Sequence, residues 1–329
     1  MSTANLVPET WELTGDDARR LLRSSGRRRI LRDAFKRLRV ADGFSHARSL
    51  AFAMSLVFVQ GIIALIGLAV AVGHGSFSRV VVRTLNAAVP GPGGALLTDA
   101  VQQAHRAGAS HRYTALVLGL TGALITGATL LGQIERALNR IYGVEQDRPT
   151  VQKYGLALAL AVSAGTLALA AFALLAFGQS IATGLNNSAA DDVWKVVRWP
   201  AAVVLAALAI TMLFRWSPRR HQPGFSWLAF GAAVATAGWL LVTAALAVFF
   251  SVSKSFGQTY GPLAGIVALM LWSLCSAIAI LFGAAVAAQL EAVRAGARPP
   301  QDAEKVEHSE PESEQAPASE QAPAPALAS

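Results

Sequence analysis

Five polar side chains, Thr126, Thr129, Gln133, Arg136 and Arg140, recur three or four residues apart in a largely apolar stretch and fall on one stripe of a helix. In a membrane such a stripe has two readings. It lines a polar path, or it hydrogen-bonds neighbouring helices while its arginines compensate the C-terminal helix dipole. Gln60 in an earlier apolar run and Glu291 just after the last are polar groups of the same kind. On the first reading Gln60, Thr126, Thr129, Gln133, Arg136 and Arg140 form a substrate path.

Catalytic chemistry finds less to build on. The chain has no His-Glu-x-x-His, no Gly-rich phosphate loop ending in Lys-Ser/Thr, no nucleophile elbow and no paired-cysteine zinc pattern. His74, His105 and His111 share one connection, either as a metal cluster or as ordinary loop histidines, and no carboxylate pattern accompanies them. A metal-dependent nuclease needs convergent carboxylates, whereas Asp99, Glu135, Glu145, Asp147, Asp191 and Asp192 are spread over several connections. No catalytic residue, metal or cofactor is expected. The densest basic run holds Arg27, Arg28, Arg29, Arg32, Lys36 and Arg37. No aromatic residue interleaves with 27–29 to stack bases, and a cationic cluster before a first span suits orientation and anionic lipid, so headgroup contact is expected and nucleic acid is not.

The elements that must position these groups are long apolar helices. Of 329 residues, 53% are apolar and 15% charged, and runs of 18 or more nearly uncharged residues recur, each able to cross roughly 30 Å of hydrocarbon. The expected fold is an all-α integral membrane protein with six transmembrane helices, at about 50–72, 115–135, 156–178, 196–214, 226–250 and 262–289. The second is the least apolar and belongs inside the bundle. Basic residues concentrate before the first span, between the second and third, between the fourth and fifth, and after the sixth, which puts both termini in the cytoplasm.

Residues 1–45 read as a cytoplasmic basic segment, 46–292 as the transmembrane domain and 293–329 as a disordered Pro/Ala/Glu-rich tail. Within the first, 1–15 look disordered, while Ile30, Leu31, Ala34, Phe35 and Leu38 form one face of a basic helix lying in the headgroup layer. The first outer connection, 73–114, carries a short interfacial helix around Val80–Val89 and a break at Pro90-Gly91-Pro92-Gly93-Gly94. Cys275 stands alone, so no intrachain disulfide forms. The polar, basic first 45 residues lack the apolar core of a signal peptide.

Three stretches resemble the YihY/BrkB (YhjD-like) family of bacterial inner-membrane proteins, once labelled ribonuclease BN. They are Glu135 to Glu145 with Asn139, Arg140, Tyr142 and Gly143, followed by Arg148-Pro149; Tyr260-Gly261-Pro262 through Trp272; and Phe282-Gly283-Ala284 through Glu291. The resemblance runs from about Arg29 to Glu291 and departs from the family in the first span. It implies a multi-pass protein of the bacterial inner membrane that supports envelope integrity and moves lipids or lipid-linked molecules. It brings no agreed catalytic residues, and the nuclease label finds no support in these residues. Membrane lipids, envelope-transport proteins and a second copy of the chain are the expected partners. The alternative is a non-transporting scaffold.

Overall fold

The computed structural model describes residues 3–10, 13–72, 89, 91–184, 188–253, 256, 259–260 and 263–301. Eight helices organise them: α1 (Gly15–Ser24), α2 (Arg27–Val40), α3 (Gly43–Val72), α4 (Pro92–Tyr142), α5 (Thr150–Gly184), α6 (Ser188–Trp216), α7 (Phe225–Val252) and α8 (Ala264–Arg294). Five contain segments long and apolar enough to cross a membrane: Val117–Tyr142, Thr150–Leu175, Val196–Trp216, Phe225–Val252 and Ala264–Arg294. These coincide with the second to sixth expected spans, and the Val117–Tyr142 segment is the least apolar of the five. The first expected span, 50–72, is helical throughout as part of α3.

α8 is the axis of the bundle, with α2, α3, α4 and α7 packed around it. Its contact with α7 is set by small residues. A Cβ on Gly231 would lie 2.6 Å from the Gly283 carbonyl oxygen and 2.8 Å from Ala287 Cβ, and a Cβ on Gly283 would collide with the Gly231 carbonyl and Ala235. Gly231/Ala235 and Gly283/Ala287 are thus two small-xxx-small pairs facing each other within one chain, where close backbone approach gains dispersion contacts that lipid tails cannot match. These small residues of the last two spans are therefore used within the chain.

The connection before the second span differs from expectation. Helix starts at Pro92, which serves as the first-turn proline, and Gly91 at φ +64° supplies the turn before it, so the Pro/Gly cluster begins a helix and does not merely break one. α4 then runs 51 residues. From Leu96 to Ile141 a straight rod would measure about 68 Å, yet Leu96 lies against Gly265 and Ile141 reaches Gln289 through Arg37, points about 36 Å apart along α8. α4 therefore bends between Leu96 and Ile141. Of the interfacial helix expected around Val80–Val89, all but the buried Val89 lies outside the described residues, as does the tail from 302 onward.

Residues 3–10, expected to be disordered, lie instead as an extended strap across one end of the bundle. Backbone bonds fix it: Ala4 N donates to Arg140 O, Val7 N to Tyr142 O and Asn5 N to Gln301 O. Ala4 and Val7 are fully buried. α2 also docks onto protein, burying Ile30, Ala34 and Leu38 against the α8 end, while Leu31 and Phe35 stay exposed. The apolar face read as membrane-facing is thus divided, because water drives Ile30 and Leu38 onto the bundle end as strongly as it would drive them into lipid.

Candidate functional site

The four basic segments converge on the end of the bundle that carries the strap, called here the polar end. The outer part of the site is built by the turn after α4. Gly143, at φ +82°, closes the helix in a Schellman arrangement: Val144 N donates to Asn139 O at 2.8 Å and Gly143 N to Arg140 O. Only glycine suits that position, since φ is left-handed and a Cβ would strike the strap at Leu6. Arg140 folds back to donate to Val144 O (2.9 Å) and Glu145 O (2.5 Å), a direct answer to the negative end of the α4 dipole.

Asp147 is the hub of this turn. It accepts from Asn139 Nδ2 at 3.0 Å and pairs with Arg136 (3.4 Å) and Lys153 (3.7 Å), while Asn139 Oδ1 accepts from Arg219 N. Burial opposes its charge, but the Asn139 bond and the nearby Lys153, Arg140 and Arg136 outweigh burial and hold the carboxyl below its ordinary range. Arg148 pins the turn to the α6–α7 connection through Ser217 O and Pro218 O at 2.5 and 2.7 Å, and pairs with buried Glu135 at 3.3 Å.

The inner part is drier. Arg220 and Glu291 form an ion pair at 2.7 Å with side chains 2% and 0% exposed. Glu291 also accepts from Thr10 Oγ1 at 2.8 Å and Thr10 N at 3.3 Å, and the Arg220 guanidinium lies 4.7 Å from the Tyr142 ring centre. Arg37, fully buried, donates Nε to Gln289 Oε1 (3.0 Å), Nη1 to Asn5 O (3.1 Å) and Ile141 O (3.2 Å), and Nη2 to Asn5 Oδ1 (3.4 Å). Burial lowers its pKa to about 10, so it stays protonated at neutral pH. The Tyr142 hydroxyl and both polar atoms of Gln222 are buried beside this layer without a hydrogen bond of good geometry.

The structure splits the stripe on α4. Thr126 and Thr129 donate to the carbonyls of Gly122 and Ile125 one turn back, satisfying themselves on their own helix, and Thr129 is exposed. Gln60 of α3 packs against Gly122, Gln133 is half-buried higher on α4, and Arg136 and Arg140 belong to the turn. Of the residues singled out by resemblance, Asn139, Arg140, Tyr142, Gly143, Arg148 and Glu291 gather at the polar end, with Pro149 accepting at its carbonyl from Lys153 N. Trp272 donates to Thr243 Oγ1 and Gly283 lies at the α7 crossing, both farther along the bundle. Tyr260 is exposed beside Phe256, and Gly261 lies outside the described residues. Arg37 is a correction to the lipid-contact group, because a fully buried guanidinium presents nothing to a headgroup; Arg27, Arg28, Arg29, Arg32 and Lys36 remain exposed. Sequence reading passed over Arg220, Gln289, Asn5 and Thr10.

A second feature lies beside the polar end. Where α1 meets α7, a groove of 710 Å³ opens, with Asp16, Arg19 and Ser226 at its mouth and Phe230, Ala233 and Ala237 among its wall residues. The wall is the face of α7 turned away from the Gly231/Ala235 contact with α8, as the period of 3.6 requires. Asp16 and Arg19 are paired at 3.6 Å and largely exposed.

Comparison with known proteins places these residues in a family. The chain is 27% identical over 180 residues to the putative ribonuclease-like protein YfkH of Bacillus subtilis (strain 168), covering 53% of this chain and 65% of that protein. It is 30% identical over 189 residues to the UPF0761 membrane protein Rru_A2625 of Rhodospirillum rubrum, covering 57% and 42%. A UPF0761 membrane protein of Halorhodospira halophila is 26% identical over 177 residues, covering 54% and 39%. The matched region thus spans between 39% and 65% of these relatives' lengths. No solved structure matches the chain. The family described as Virulence factor BrkB matches residues 34–308, from the second half of α2 through α8 and including the arginine-rich turn, and the chain belongs to that family.

Proposed function

We propose that this membrane protein handles an amphiphile, a phospholipid or other envelope lipid, and moves it within or across the bacterial inner membrane in support of envelope integrity. The observation that carries this reading is the groove between α1 and α7. Its wall is apolar at the level of a membrane-spanning helix and its mouth holds one acid and one arginine, so an acyl chain and a charged headgroup each find matching chemistry. In this reading α3 is a further span, giving six with both termini cytoplasmic, and the polar end faces the cytoplasm because its arginines follow the positive-inside rule. Exposed Arg27, Arg28, Arg29, Arg32 and Lys36 meet anionic headgroups there. Gln133 of the α4 stripe and Gln60 of α3 are left to serve a path.

The reading contains no enzymatic step. Each acid of the polar cluster answers a cation: Glu135 pairs with Arg148, Asp147 with Arg136 and Lys153, and Glu291 with Arg220. The scaffold alternative is favoured by one observation, that Arg136, Arg140 and Arg148 spend their donors holding the turn.

The test is redistribution of labelled lipid in liposomes carrying purified protein, with and without an ion gradient. Native protein should accelerate redistribution and Ala233→Trp, which fills the groove wall, should slow it at equal insertion. Unchanged lipid distribution in every condition would overturn transport. If transport occurs and survives Ala233→Trp, the path lies elsewhere, and Gln133→Leu then asks whether it follows α4.

A further inference from the structure

The inner layer of the polar end holds two guanidinium groups and one carboxylate. Glu291 answers Arg220, whereas Arg37 has no carboxylate within ion-pair distance among the described residues. Its acceptors are all neutral: one side-chain amide, two backbone carbonyls, and the Asn5 amide oxygen. A fully buried cation with only neutral partners is an expensive arrangement, because dipoles recover less of the lost hydration than a counter-charge does.

The geometry of Asn5 is the informative part. Its backbone oxygen and side-chain Oδ1 accept from Nη1 and Nη2 of the same guanidinium, at 3.1 and 3.4 Å. Two oxygens presented to the two ends of one fork is how a carboxylate or phosphate binds arginine, but an anion would shorten both contacts to about 2.7–2.9 Å. Asn5 occupies the position of an anion without its charge. The strap that brings it there has no regular secondary structure and Leu6 is 64% exposed, while Ala4 and Val7 are buried and its backbone bonds run to the last turn of α4 and to Gln301. Close by, the Tyr142 hydroxyl and the Gln222 side chain are buried without a hydrogen bond of good geometry.

We propose that residues 3–10 are a displaceable plug over an anion site built on the Arg37 fork and Gln289, which takes a phosphate or carboxylate group in place of the two Asn5 oxygens. Bound anion and docked strap exclude each other, so the ligand opens the polar end. The phosphate can come from a lipid headgroup or from a free anion. The site stands on contacts separate from the α7 groove and does not depend on lipid transport.

The experiment reports strap release in full-length purified protein carrying Leu6→Cys with a spin label, the native thiol removed by Cys275→Ala. Label mobility is followed against inorganic phosphate, and separately in nanodiscs with and without phosphatidate. Saturable release by inorganic phosphate identifies a small-anion site, and release by phosphatidate alone identifies a headgroup site; either supports the plug. Asn5→Asp places a carboxylate on the fork, so the half-effect concentration should rise by about tenfold or more. Arg37→Lys keeps the charge without the fork and should weaken the response. Release in neither arm, or release that Asn5→Asp and Arg37→Lys leave unchanged, overturns the proposal. Should Arg37→Lys fail to fold, the Asn5→Asp shift decides alone.

Discussion

The two ends of this bundle are closed by different chemistry. At the polar end, helices are joined by directional charged contacts, each with a named partner: Arg220 to Glu291, Arg148 to Glu135 and two carbonyls, Asp147 to Asn139, Arg136 and Lys153. At the opposite end, Phe249, Phe250, Phe256 and Tyr260 form a chain of rings 4.7–6.1 Å apart, and Gly91 and Gly265 let the start of α4 approach Phe250 and the start of α8. Aromatic packing tolerates small shifts, since no atom is left charged when a ring moves. A buried ion pair does not, since removing one member strands the other. Register is therefore fixed at the polar end, and adjustment is cheapest at the other.

The largest effect should therefore come from Glu291→Ala, which leaves Arg220 buried and uncompensated and should cost about 3–5 kcal/mol, read as a loss of thermal stability in detergent. Phe256→Ala at the opposite end should cost far less, about 1 kcal/mol of ring-pair contact beyond its area. Equal losses would break the comparison. Between these lies Gly283→Val, which drives a side chain into the Gly231 carbonyl and should cost about 1–3 kcal/mol as α7 and α8 separate.

A pH titration sharpens the same contrast. His46, at the start of α3, is buried with Nε2 unpartnered, and burial together with Arg140 and Arg136 outweighs Asp42 and Asp147 to hold its pKa below 6.5. The folded state then binds the proton less readily than the unfolded state. Stability is full above 6.5 and falls as the pH drops from 6.5 toward the depressed value, by at most about 1.4 kcal/mol per pH unit. Melting curves between pH 7 and 5.5 should show this slope in native protein and a flatter one in His46→Leu. An identical slope in both would assign the acid sensitivity elsewhere.

Much of the architecture was legible because a membrane demands length and apolarity that few other settings do, and the second to sixth spans follow from that alone. The Schellman end of α4 was also readable, from Gly143 after Arg140. The start of α4 was not, since Pro92 is equally good as a breaker and as a first-turn residue, and only packing against Gly265 decides. Arg37 carried a signal that went unused: it lies three residues after Ala34 and seven after Ile30, on the face that buries, whereas Arg32 and Lys36 do not. Asn5 and Thr10 carried none, because a strap has no period and its partners are scattered along the sequence, from Arg37 and Tyr142 to Glu291, Arg298 and Gln301.

The smallest effect is the most pointed test of the polar stripe. Thr129 donates to Ile125 O at 2.9 Å and is exposed on a helix long and apolar enough to cross a membrane, so its hydroxyl is satisfied without any neighbour. Thr129→Val keeps the shape, removes the hydroxyl and frees a carbonyl that retains its helical bond, so stability should change by less than about 0.5 kcal/mol. If lipid redistribution in liposomes is also unchanged, the lower apolarity of this span is a property of its surface and the stripe ends at Arg136 and Arg140, where the polar end begins. If redistribution falls while stability holds, the hydroxyl meets a moving headgroup, and the division between a charged end that fixes the fold and an apolar middle that only packs no longer stands.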